Sequence, residues 1–110
     1  MDNENLYPVT TKELADKKAA LAPKNLEAWR NFSKTVFEAG ALPEKTKQLI
    51  AVAVAHVAQC PYCIRSHSKS AMQKGASKEE IMEAIWVASE MRAGAAYAHA
   101  TIAMDEMEKH

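Results

Sequence analysis

LIAVAVAHVAQCPYCIRSH, residues 49–67, decides how this chain folds and carries most of its chemistry. Leu49 to Ala58 is apolar apart from His56, and it continues a helix that Pro43 suits in its first turn. Pro61 then interrupts. A proline inside a helix removes a backbone hydrogen bond and clashes with the preceding turn, so Pro61 fits best just inside a new helix that starts near Cys60. The stretch therefore reads as helix, break, helix.

The same punctuation extends in both directions. Thr10-Thr11-Lys12-Glu13 resembles a capping box and opens a helix to about Ala22, before Pro23. A second helix covers roughly Asn25 to Ala39, with Leu26, Trp29, Phe32, Val36 and Phe37 at helical spacing and Gly40 as its cap. The helix after Cys60 ends at Gly75. Ser77-Lys78-Glu79-Glu80 is a further capping box that opens a helix through Trp86, and Gly94 divides this helix from a last one ending near Met107. No strand-like alternation or hairpin signal appears, so the fold class is all-α, with about six helices. Residues 1–9 read as a flexible N-terminal arm, in which Tyr7-Pro8 suits an extended segment, and residues 10–110 as a single domain.

Composition narrows the function. Hydrophobic residues make up 48% of the chain but aromatics only 6%, and much of the apolar content is alanine. Alanine-rich helices bury little area each, so burial between subunits is expected to supply what a 110-residue core lacks. The 14 basic and 14 acidic residues cancel, which argues against a nucleic-acid partner or an anionic membrane surface. The longest apolar run is too short to span a bilayer, and the N-terminus is acidic where a secretory signal would be basic. A cytoplasmic location is expected, where a Cys-x-x-Cys is more often catalytic or metal-binding than a structural staple.

Cys60 and Cys63 are the only cysteines. Three positions apart on a helix, their Cα atoms lie about 5 Å apart, inside the window a disulfide needs. His67, four residues after Cys63, can take its proton or stabilise its thiolate, and a helix starting at Cys60 stabilises a thiolate there as well. His56 holds the same four-residue relation to Cys60. Zinc competes, because Cys60, Cys63, His67 and His56 are all suitable ligands. On a straight helix the two histidines stand about 16 Å apart, too far to share one ion, although a break at Cys60 shortens that span. Thiol redox chemistry is the favoured reading, with no metal and no cofactor beyond the disulfide itself. The methionines Met72, Met82, Met91, Met104 and Met107 read as packing filler.

From about Leu42 to His99 the chain resembles the alkylhydroperoxidase D-like branch of the carboxymuconolactone decarboxylase family. The resemblance rests on residues 49–67, the Gly75-Ala76 break and the E-E-I-M-E-A-I segment after it. It implies an all-α subunit assembled as a homotrimer or homohexamer, with its site near subunit contacts. In the family's redox members a glutamate stands before the first cysteine with eleven residues between them, and it shares a proton relay with the histidine and a thiol. The equivalent position here is Gln48, which can orient an imidazole but cannot accept its proton at neutral pH. His56 is the first candidate for a replacement base. Among carboxylates on the next helix, Glu83 is preferred over Glu80 and Glu90 because it falls in what reads as a core face.

The expected activity is a thiol-dependent peroxidase. Cys63, activated by His67, attacks a peroxide, Cys60 closes the disulfide, and an external dithiol such as a lipoyl group restores the pair. Two alternatives stand beside it. One is a carboxymuconolactone decarboxylase-type lactone enzyme that does not rely on the cysteines. The other is a non-enzymatic redox sensor or zinc-binding helical module.

Overall fold

In the computed structural model of the protein, residues 6–110 are described; part of the expected arm, residues 1–5, lies outside them. Leu6 to Thr10 carry no helix. Beyond them come five helices: α1 (Lys12–Leu21), α2 (Pro23–Phe37), α3 (Glu44–Ala58), α4 (Pro61–Gln73) and α5 (Lys78–Met107). Among the described residues there is no strand, so the all-α expectation holds.

These helices fall into two compact units, one ending at Gly40 and one running from Ala41 to His110. In the first, Thr11 caps α1 by accepting the Leu14 N–H through its hydroxyl at 3.2 Å. Ala22, with φ −151° and ψ 68°, separates α1 from α2, and Pro23 opens α2 rather than merely ending α1. Neither helix contains a buried residue. The apolar side of α2 shows an exposed Trp29–Phe32 pair, ring centroids 5.9 Å apart.

In the second unit, α3 packs against both α4 and α5. Val52 and Ala71 are fully buried, joined by Ala76 and Ile81, with Leu49 and Ile85 against them. Ion pairs from Lys45 to Glu80 (3.0 Å) and from Lys74 to Glu44 (2.7 Å) tie the start of α3 to α5 and to the chain after α4. Both pairs are substantially exposed, so they contribute to register more than to stability.

α5 departs from expectation. It is one continuous helix through Gly94, about 45 Å long at 1.5 Å per residue, so the described residues form five helices where about six were expected. A single glycine in a helix interior costs about 1 kcal/mol, and the alanines around Gly94 are the strongest helix formers. Beyond Ala88 no residue of α5 is buried. Trp86, Val87, Met91, Tyr97 and Ile102 are all more than half exposed. The methionines read as packing filler are exposed too, so they fill no gap within this chain. Glu83, expected in a core face, is exposed instead, because its apolar neighbours on α5 are themselves open.

Candidate active site

Gln59 makes the break between α3 and α4. Its backbone is left-handed, φ 56° and ψ 48°, and it is the one non-glycine residue with positive φ among the described residues. Around it, Cys60 N–H donates to Ala55 C=O (3.1 Å) and Gln59 N–H to His56 C=O (3.3 Å). This is the paired pattern by which helices commonly end. α4 ends the same way, where Gly75 N–H reaches Met72 C=O and Ala76 N–H reaches Ala71 C=O, but with glycine at the left-handed position, φ 95°. A left-handed backbone costs an L-residue about 1–2 kcal/mol. Gln59→Gly is therefore expected to stabilise the protein by about 1 kcal/mol, raising its melting temperature by about 4 °C. A lower melting temperature at the same protein concentration would mean that the Gln59 side chain contributes more than its backbone strain removes.

Directly after this turn, Cys60 caps α4. Its Sγ accepts the Cys63 N–H at 3.2 Å, and Pro61 occupies the first helical position. The expected break at Pro61 and helix start at Cys60 are therefore both present. Cys60 and Cys63 form a disulfide, with Cα atoms 5.3 Å apart. Both cysteines are half-buried.

His67 lies one turn after Cys63 on α4, half-buried. Its Nδ1–H donates to Oε1 of Gln48 at 2.8 Å, across from α4 to α3. An amide oxygen only accepts, so this bond places the ring proton on Nδ1 and the lone pair on Nε2. Gln48 is the one buried polar or charged residue among those described, at 8% exposure. A buried amide oxygen needs a hydrogen-bond donor, and the His67 ring supplies it.

The other candidates divide. His56, half-buried on α3, donates from Nδ1–H to Val52 C=O at 2.8 Å, so its Nε2 also carries the lone pair. Glu80 is engaged elsewhere: it accepts Ser77 N–H (2.8 Å) in the capping box and pairs with Lys45. The backbone hydrogen bond from Ser77, then the one from Lys45, hold its carboxyl below the usual pKa. Glu83 and Glu90 are exposed on α5, and no described contact joins either to the cysteines, His67 or Gln48. Among the described residues, no cluster of three or more His, Cys, Asp or Glu is placed to hold a metal ion. None of the described helices is long and apolar enough to cross a membrane.

One contact had no sequence signal. Arg92, on α5, donates from an Nη to Val57 C=O at 2.7 Å, in the last turn of α3. Nothing in the spacing of residue 92 relative to the cysteines announces a contact across 35 positions.

The chain is similar to several known proteins. The profile of the carboxymuconolactone decarboxylase family matches residues 23–106. The uncharacterised protein 4 of the cox locus of Paracoccus denitrificans is 61% identical over 83 residues, covering 76% of this chain and 75% of that protein. Among solved structures, a carboxymuconolactone decarboxylase family protein of Legionella pneumophila is 32% identical with a TM-score of 0.68, covering 86% of this chain and 85% of that one. A member of the same family from Thermotoga maritima, for which an antioxidative role has been suggested, is 30% identical with a TM-score of 0.56. It covers 74% of this chain and 94% of that one.

Proposed function

This chain belongs to the carboxymuconolactone decarboxylase family, and from that premise we propose that it is a thiol-dependent hydroperoxide reductase. The observation that carries the proposal is the bonded Cys60–Cys63 pair at the start of α4, with the Gln48-oriented His67 one turn further on. The antioxidative role suggested for the Thermotoga relative points the same way.

In the reduced protein His67 Nε2 takes the Cys63 proton, directly or through a water. The Cys63 thiolate attacks the terminal peroxide oxygen: a sulfur–oxygen bond forms, the oxygen–oxygen bond breaks, and the alcohol leaves with the proton from His67. Cys63 is then a sulfenic acid. Cys60 attacks the Cys63 sulfur, forming the disulfide and releasing water, which takes up the Cys60 proton. Two electrons from an external dithiol, a lipoyl group or a small redox protein, return the pair to thiols by exchange at Cys60. His56, whose lone pair is also on Nε2, is the second base in this reading.

Second copies of the chain, as a trimer or hexamer, are proposed to cover the apolar side chains of α5. The support is that Trp86, Val87, Met91 and Ile102 are each more than half exposed among the described residues.

The deciding experiment is peroxide consumption by the purified protein with excess dithiol. Many turnovers per chain are expected. Folded, fully reduced protein without turnover would overturn the peroxidase reading and assign the pair to disulfide exchange or sensing.

A further inference from the structure

Helix ends leave carbonyls without partners, and α3 ends at Ala58, just before the first cysteine. Its last carbonyls are satisfied in two different ways. Ala55 C=O accepts Cys60 N–H, His56 C=O accepts Gln59 N–H, and Val57 C=O accepts the Arg92 guanidinium at 2.7 Å. The turn thus satisfies two of these groups by itself, and the third is supplied from α5.

Cys60 lies between two helix ends of opposite polarity. The N–H end of α4 favours a negative charge on its sulfur, and the carbonyl end of α3 disfavours one. A cation on Val57 C=O offsets the second effect. We propose that Arg92 is a positioning residue for the redox pair: by capping α3 from α5, it holds the turn that presents Cys60 and favours the reduced, thiolate-bearing state over the disulfide. The inference rests on the proposed redox role of Cys60 and Cys63 but not on the identity of the oxidant.

The test is an equilibrium one. The oxidised full-length protein is incubated with defined ratios of glutathione to glutathione disulfide. Two glutathione thiols reduce Cys60–Cys63 to the dithiol and leave as glutathione disulfide. The oxidised fraction gives the equilibrium constant, and absorbance of the thiolate at neutral pH reports its population. Arg92→Gln is compared with Arg92→Met, which has no amide to donate to Val57, and with Arg92→Lys, which keeps a charged donor. Lys109→Gln removes the same charge near the far end of the chain. Arg92 is exposed, and all three replacements form helix well, so α5 is expected to persist.

Arg92→Gln and Arg92→Met are expected to favour the disulfide by about threefold and to lower the thiolate population, with Arg92→Lys returning most of the way to wild type. Lys109→Gln is expected to leave the equilibrium unchanged. An unaltered equilibrium in Arg92→Met, or an equal shift in Lys109→Gln, would overturn the proposal. No peroxide is involved, so a negative turnover assay and a negative result here are separable.

Discussion

Replacing Cys63 by serine is expected to abolish peroxide turnover, a loss of about a thousandfold or more, while leaving the helices intact. The reason is chemical: the thiolate is the nucleophile, and a serine hydroxyl at neutral pH is not an equivalent one for peroxide oxygen. Cys60→Ser tests the order of events. Serine is itself a preferred helix N-cap, so its hydroxyl can take over the Cys63 N–H that Cys60 Sγ now accepts at 3.2 Å. The Cys60→Ser variant should therefore keep its fold, react once with peroxide and stall as a sulfenic acid at Cys63, because no resolving thiol remains. Trapping with a sulfenic-acid-selective dione and locating the adduct by mass spectrometry reads this directly. An adduct found only at Cys60 of the Cys63→Ser protein would reverse the two roles. Unchanged turnover of a carboxylated lactone by both variants would instead favour the decarboxylase-type reading.

Gln48→Glu is expected to raise peroxide turnover by about tenfold, and Gln48→Leu to lower it by a similar factor. In the wild type, Gln48 Oε1 receives the His67 Nδ1–H at 2.8 Å and fixes which nitrogen can act as base. A carboxylate in the same place would keep that hydrogen bond, pair with the imidazolium form and make His67 a stronger base. Leucine would take away the acceptor that Gln48 offers the ring nitrogen. The comparison is made at several pH values, since a changed base moves the profile as well as its height. Equal rates in all three proteins would remove the Gln48–His67 contact from the reaction.

Local chemistry made much of this site legible. Pro61 inside an apolar helical run forced the break. Ser77 with Glu80 announced α5 through a capping box whose two hydrogen bonds are both present. The three-residue spacing of the cysteines anticipated their Cα separation. What escaped was long-range or depended on context. Only the family pattern singles out Gln48, and no local property ties it to His67, 19 positions away. Gly94 taken alone reads as a divider, whereas helix continuity depends on the alanines on both sides of it. Glu83 belongs to a core face only if apolar neighbours are buried neighbours. Trp86 and Val87, exposed at 67% and 60%, show why that fails in a chain with so little interior. Arg92 left no trace at all, since a guanidinium that caps another helix needs only reach.

The unbroken length of α5 means that stability within this one helix comes from two sources. Up to Ala88 it is held by side chains of the same chain, so its order there does not change with protein concentration. Beyond Arg92, whose guanidinium still reaches Val57 C=O, it has the alanine content of a helix former but no buried residue, and an unsupported helical segment of that length in water is marginal. Copies of the chain docked there, as proposed above, would set its order by mass action. Dilution would fray the far end of α5 first and spare the turn at Gln59, the cap at Cys60 and the Gln48–His67 pair, all of which rest on contacts within one chain.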